Sequence, residues 1–268
     1  MARGEMARLL EKLAIHAWPA LAIDVLDGWR LRYGSGVTRR ANAVWPNEIG
    51  GALDLDDRIS QVEKFYISRG LPPSFQLSPA ALPEELDAEL AKRGYEKRWP
   101  TAVQAAEIGE VLDRTAVVGA PEVRMAHLLD KEWFETYCKS ESPRISADAA
   151  ESEDRLTQES AAIRSRILQR IELPVSYASA RFGGRSVAVG LGVRERDWLG
   201  IYCQATLPSA QRQGAACAIL HALARWGQAD GVQRLYLQVM YDNSAALALY
   251  DRAGFRTVYE THYRVSPH

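Results

Sequence analysis

Net charge, cysteine and long apolar runs are all scarce in this chain, and each scarcity removes a class of function. The 33 Lys and Arg against 34 Asp and Glu leave a formal net charge of −1 over 268 residues. That balance argues against a broad nucleic-acid-binding surface, though it permits a local basic patch. There are only 3 cysteines, Cys138, Cys203 and Cys217, with no CxxC pair and no metal-ligand spacing. An odd, sparse set fits the reduced thiols of a cytoplasm and predicts no disulfide framework and no metal. No run of about eighteen uncharged apolar residues occurs, so no membrane span is expected. The first residues carry Arg3, Glu5, Arg8, Glu11 and Lys12, unlike a secretory leader. Neither Gly-x-x-x-x-Gly-Lys-Ser/Thr nor Gly-x-Gly-x-x-Gly after a strand is present, which removes the two commonest nucleotide signatures. What remains is ordinary globular composition, 47% hydrophobic and 25% charged, enough for one large or two small domains.

The organising stretch is Gln211-Arg212-Gln213-Gly214-Ala215-Ala216. Upstream, residues 199–207 read as a strand, with Ile201, Tyr202 and Thr206. Downstream, Ala218, Ile219, Leu220, Leu223, Ala224 and Trp226 recur at helical spacing, with Gly231 as a stop. A strand therefore feeds a glycine turn that becomes the first turn of a helix. The unpaired N–H groups and the dipole of a helix start suit a pyrophosphate. Gly214 permits close backbone approach, and Arg212 adds a charge-assisted contact. Residues 234–239 then alternate as a strand. After it, Asn243, Ala245, Ala246, Leu249, Tyr250 and Gly254-Phe255 mark a short helix closed by its glycine.

This run resembles the GNAT acetyltransferase superfamily. Gln211-x-x-Gly214-x-Ala216 matches its acetyl-CoA loop, and Asn243-x-x-Ala246-x-x-x-Tyr250-x-x-x-Gly254-Phe255 matches its second signature. The resemblance covers residues 122–265 well and the N-terminal half loosely. It implies an α+β fold, with a central mixed and mostly antiparallel sheet flanked by helices. Residues 175–182, 185–193 and 198–207 supply a three-strand meander ahead of the loop. Residues 147–171 are charged but periodic, with Leu156, Ala162, Ile163, Ile167 and Ile171 as apolar positions of a helix.

The same architecture is expected twice. Residues 6–18 form an amphipathic helix, with Leu9, Leu10, Leu13 and Trp18 on one side and Arg8, Glu11 and Lys12 on the solvent side. Residues 29–33 alternate, and Gly34-Ser35-Gly36 turns them into residues 38–45 as a hairpin. Arg30, Arg32, Arg39 and Arg40 make this hairpin basic, either a solvated sheet face or a surface facing an anionic acceptor. Residues 54–69 and 83–93 read as helices. Leu90-Ala91-Lys92-Arg93-Gly94-Tyr95-Glu96 echoes residues 249–256, with Leu90 where Tyr250 falls. The first copy lacks the loop, because Asn47-Glu48-Ile49-Gly50-Gly51 has the wrong spacing and an acid that repels phosphate. The expected domains are a degenerate GNAT-like half at 1–115 and a catalytic GNAT domain at 122–268, with 114–121 as the junction.

The resemblance also implies roles. Main-chain groups of Gln204, Ala205 and Thr206 take the acyl-pantetheine arm of acetyl-CoA, and the amides of Arg212, Gln213, Gly214, Ala215, Ala216 and Cys217 take the pyrophosphate, next to Gln211. Asn243 contacts the cofactor, caps its helix, or does both. Tyr250 is the catalytic candidate. A phenol of ordinary pKa near ~10 stays protonated and can donate to a thiolate of pKa about 8.5. The general base has no candidate, because Tyr202, Cys203, Gln204 and Gln238 are poor bases. A water relay or a residue of the N-terminal half is left to serve. His262-Tyr263-Arg264 is a weaker candidate for lining an acceptor cleft. The expected activity is acetyl transfer to a primary amine, with a non-catalytic acyl-CoA-binding module as the alternative. The acceptor is open among a protein N-terminus or lysine, an amino acid, a polyamine and an aminoglycoside. Monomer and homodimer fit equally.

Overall fold

Apolar residues at helical spacing build α1 (Arg3–Ala17), and alternating ones build β1 (Ala22–Leu26), β2 (Trp29–Tyr33) and β3 (Val44–Trp45). There follow α2 (Leu55–Ile67), β4 (Ser74–Leu77), α3 (Leu86–Lys92) and β5 (Glu96–Glu107). The later elements are α4 (Ile108–Thr115), β6 (Glu122–Ala126), α5 (Lys131–Asp148) and α6 (Gln158–Gln169). Then come β7 (Val175–Phe182), β8 (Arg185–Glu195), β9 (Trp198–Thr206), α7 (Ala215–Ala229), β10 (Arg234–Met240), α8 (Ser244–Arg252) and β11 (Arg256–Val265). The computed structural model describes residues 3–116, 119–148 and 157–267. Leu156 and the start of the helix expected at 147–171 lie outside them, and Ala162 is exposed rather than core.

The chain divides into two compact units, Met1–Ala102 with Val258–His268, and Val103–Thr257. Where the sequence places one junction between residues 115 and 122, the units interleave. The reason is strand pairing. β11 runs antiparallel to β4, from His262 opposite Leu77 to Val265 opposite Ser74, and so closes the first sheet in the order β1-β2-β3-β4-β11-β5. The later part of β5 borders β10 in the second sheet, ordered β5-β10-β9-β8-β7-β6.

In the first unit, α2 joins the parallel strands β3 and β4 over a core of Trp29, Leu31, Val44, Ile59, Val62, Tyr66, Phe75, Leu77, Leu86, Leu90 and Tyr95. Two sequence expectations need correction here. Residues 38–45 pair back on β2 only at Val44 and Trp45, because residues 39–42 coil into a 3-10 turn. Asn42 imposes that turn, since its Oδ1 accepts from the N–H groups of Gly34 and Gly36 and its Nδ2 donates to the carbonyls of Val37 and Thr38. The solvent side assigned to Glu11 is in fact interior. Glu11 is 0% exposed, accepting from Tyr259 Oη at 3.0 Å and Gln76 Nε2 at 3.2 Å. Burial raises its carboxyl to about 7, against the donors around it. Arg32, at 2% exposure, is likewise no surface cation, and donates to the Trp18 carbonyl.

In the second unit β6, β7, β8 and β9 form an antiparallel meander, and β10 joins β9 in parallel. α7 buries Ala218, Ile219, Leu220, Leu223 and Ala224. Each of the Leu and Ile side chains contributes about 1.5–3 kcal/mol by leaving water. Those anchors fix the start of α7 relative to β9.

Candidate active site

The β9–β10 ladder stops early. Its register runs from Arg234 opposite Trp198 to Leu237 opposite Ile201, yet β9 continues to Thr206 and β10 to Met240. On the other side β9 remains paired to β8, with Ala205 opposite Val189 and Thr206 opposite Ala188. The cause is a bulge. Between Tyr202 opposite Leu191 and Ala205 opposite Val189, β9 spends one residue more than β8, and Cys203 takes φ 50°. An extra residue bends its strand and adds twist, which turns the end of β9 away from β10. Among the described residues, Gln204, Ala205 and Thr206 therefore have no main-chain partner on β10. Sequence reasoning missed the bulge, because left-handed backbone was sought at glycine and here it falls on a cysteine.

The turn follows at once. Leu207 N–H bonds the Val187 carbonyl at 2.9 Å, Pro208–Ala210 form a 3-10 turn, and Gln211, Arg212, Gln213 and Gly214 are exposed. Arg212 and Gly214 both have positive φ, 59° and 80°. The first helical bond of α7 runs from Ala218 N–H to the Gly214 carbonyl at 2.9 Å. The N–H groups of Ala215, Ala216 and Cys217 thus have no backbone partner among the described residues, as a helix start requires. No acidic residue lies in that first turn, so the dipole faces outward unopposed. Gln213 Nε2 braces the turn by donating to the Ser209 carbonyl at 3.0 Å.

Tyr250 lies on α8, 7% exposed, with its ring 5.7 Å from that of Phe255. Its hydroxyl donates to Gln204 Oε1 at 3.4 Å, while Gln204 Nε2 donates to the Ala216 carbonyl at 2.7 Å. One side chain thus joins the splayed strand, the first turn of α7 and the catalytic candidate. That side-chain link was not anticipated, since Gln204 entered the sequence argument for its main chain alone. Asn243 caps α8, its Oδ1 accepting from Ala246 N–H at 3.2 Å. Tyr202 and Tyr236 share a hydrogen bond of 2.8 Å between their hydroxyls, beside the last ladder pair.

Other polar side chains near these elements are engaged in bonds of their own. Asp197 sits at the opposite end of β9, where its carbonyl accepts from Gln233 and Arg234, and Asp242 is exposed beyond β10. Thr115 gives its hydroxyl proton to the Val111 carbonyl at 2.6 Å, so it accepts from His221 Nδ1 at 3.0 Å. Burial lowers the His221 pKa, which keeps that ring neutral in a structural bond. Cys217 donates weakly to the Thr115 carbonyl at 3.7 Å, and burial raises its thiol. Within the first unit, His262 and Arg264 both bond Asp87 Oδ1, at 3.1 and 2.6 Å, and Tyr263 is buried against Gln76. A cavity of ≈ 430 Å³, lined by Thr115, Pro121, Val123, His221 and Arg225 among others, contains none of the predicted site residues. No helix among the described residues is long and apolar enough to cross a membrane, and none of their His, Cys, Asp and Glu side chains cluster as metal ligands.

The family model described as "Probable histone acetyltransferase Rv0428c C-terminal" matches residues 5–264. The N-acetyltransferase YobR of Bacillus subtilis (strain 168) is 29% identical over 260 residues, covering 96% of this chain and 98% of that protein. A GCN5-related N-acetyltransferase from Kribbella flavida superposes with a TM-score of 0.64 at 16% identity, covering 98% of this chain and 96% of that one. A tandem GNAT protein from the clavulanic acid biosynthesis pathway gives a TM-score of 0.57 at 12% identity, over 79% of this chain and 69% of that one. The two structural likenesses are likenesses of fold.

Proposed function

The chain belongs to the GNAT acetyltransferases, in the family of the probable histone acetyltransferase Rv0428c C-terminal part, and we propose that it moves an acetyl group from acetyl-CoA to a primary amine by direct attack in a ternary complex. The observation that carries this reading is the β9–β10 ladder ending at Ile201 and Leu237 immediately before a glycine turn with open N–H groups. Main-chain groups of Gln204, Ala205 and Thr206 suit an amide-rich arm added in the manner of a strand. The amides of 212–217, with Gln211 and the Arg212 guanidinium, suit a pyrophosphate. Asn243, which caps α8, offers a further side-chain contact to the cofactor.

In the transfer, the amine nitrogen forms a bond to the thioester carbonyl carbon and the carbon–sulfur bond breaks. Tyr250 donates its proton to the departing sulfur. Main-chain N–H near Ala205 and Thr206 polarises the carbonyl oxygen. Tyr202, Cys203, Gln204 and Gln238 offer no carboxylate on β9 or β10, so the amine proton leaves through a water relay.

We further assign the catalytic role to the second unit and read the first unit as a degenerate copy. Supporting that reading, α2 links parallel strands as α7 does. The two short helices also end alike. Tyr95 N–H bonds the Leu90 carbonyl at 3.0 Å, and Phe255 N–H bonds the Tyr250 carbonyl at 2.9 Å. Calorimetric titration with acetyl-CoA tests the assignment, followed by turnover against a panel of amines. Micromolar binding, and acetyl transfer lost in Tyr250→Phe with binding retained, is the expected result. No binding to the intact protein would overturn it.

A further inference from the structure

Gln204 is placed to do more than lend its backbone. Its side-chain amide lies between the Ala216 carbonyl, 2.7 Å from Nε2, and the Tyr250 hydroxyl, 3.4 Å from Oε1. The polarity of that amide is fixed by chemistry. A carbonyl only accepts, so the NH2 end faces Ala216 and the oxygen faces Tyr250. The Tyr250 hydroxyl must then be the donor of the pair. The bond is long against the usual 2.7–2.8 Å or so of O–H···O contacts, so turning the proton from Gln204 to another acceptor costs little.

We propose that Gln204 is a positioning residue: it keeps the Tyr250 hydroxyl oriented as a proton donor and ties that orientation to the first turn of α7. This rests on the acetyltransferase reading given above. The consequence for the reaction is coupling. Whatever seats on the amides of the glycine turn shifts or steadies Ala216, and through Gln204 the proton that must reach the leaving sulfur.

The two ends of the side chain can be cut separately. Gln204→Leu removes both contacts. Gln204→Glu keeps an acceptor towards Tyr250 but sets a carboxylate against the Ala216 carbonyl. Two readouts apply. The first needs no turnover: phenolate absorbance at ~295 nm is titrated, and the difference from the matching Tyr250→Phe protein isolates this one hydroxyl. Gln204→Glu, which sets a carboxylate beside the hydroxyl, moves the midpoint up. The second is kinetic. Gln204→Leu lowers kcat about ten- to a hundredfold, the scale of a misplaced reacting group, with little change in KM for the amine. Gln204→Glu mainly raises KM for acetyl-CoA. On a Tyr250→Phe background Gln204→Leu adds no further loss in kcat, because the group it positions is gone. An unmoved midpoint, or an equal loss in both backgrounds, overturns the proposal. If the parent protein transfers acetyl to no amine, the acetyltransferase reading fails while the titration still decides the role of Gln204.

Discussion

Two helices in this chain start in the same architectural place and with opposite chemistry. α2 and α7 each lead from one strand to a parallel neighbour. At α7 the cap is Gly214 in the left-handed region, no side chain fills the turn, and the first turn holds no acid. At α2, Asp54 accepts from Asp57 N–H at 2.8 Å, and Asp56 and Asp57 follow. Before it, the Asp27 carboxylate accepts from the N–H groups of Gly51, Ala52 and Leu53 at 2.9, 3.0 and 3.2 Å and pairs with Arg58 at 2.7 Å. A helix start wants an anion. One start has that anion built into the chain, and the other leaves the place to a ligand. On the proposed reading, that contrast is a physical reason why a cofactor would seat at α7 and not at α2.

The contrast can be broken most sharply at α7. Gly214→Glu forces a side chain into φ 80° and sets a negative charge where phosphates would lie. Acetyl-CoA affinity should fall more than about a hundredfold by calorimetry, since ~3 kcal/mol from strain and repulsion together suffices. The same anion logic predicts loss of stability at α2. Backbone N–H bonds from Gly51 and Ala52, chief among the causes, hold the Asp27 carboxyl at about 2. A depressed acid stabilises above its unfolded pKa, so its contribution fades as pH falls from about 4 towards 2. Asp27→Asn should lower Tm at neutral pH and remove that acid-side segment of the stability profile, while acetyl-CoA affinity is unchanged.

Glu11 gives the opposite sign within the same unit. Its pKa is raised to about 7 by burial, so the folded chain holds a proton that the unfolded chain loses near 4.5. Stability therefore falls as pH rises from about 4.5 through 7, by roughly 3 kcal/mol if the full shift is expressed. Urea midpoints at pH 5.5 and 8 should differ in the parent and converge in Glu11→Gln. The smallest effect compares the two matching helix ends. Gly94 and Gly254 both sit at positive φ, 82° and 98°, and a Cβ at Gly94 meets nothing within 4 Å. Gly94→Ala should cost about 1–2 kcal/mol. Gly254→Ala should cost somewhat more, because φ 98° lies further from the left-handed minimum, while the partly exposed Glu110 side chain near its Cβ can swing aside.

The second unit was largely legible from the sequence because its signals are local. The meander alternates, Gly183-Gly184 makes its turn, and the glycine turn and Asn243 cap sit next to the helices they start. What escaped depends on distant partners. Glu11 reads as solvent-facing beside Arg8 and Lys12, but its bonds reach Gln76 and Tyr259, 65 and 248 residues away. Asp27-Gly28 looks like an ordinary turn, and nothing local says that its carboxylate serves residues 24 to 26 positions on. α4 was not foreseen, for residues 108–113 drew no assignment and Arg114 and Thr115 read as the start of a junction. The bulge at Cys203 has no compositional mark at all.

The traded outer strands have a consequence for biosynthesis. The first sheet closes only when β11 reaches β4, so the first hundred residues emerge from a ribosome without one of their strands. They must wait, with Phe75 and Leu77 next to an unclaimed edge, until residue 265 has been made. The second unit, by contrast, holds β5 from the start and needs nothing beyond residue 257. Synthesis thus favours the later-coded unit maturing no later than the earlier one. A chain stopped just short of β11 would display an open strand edge, the kind of surface that chaperones cover and that pairs wrongly with other chains.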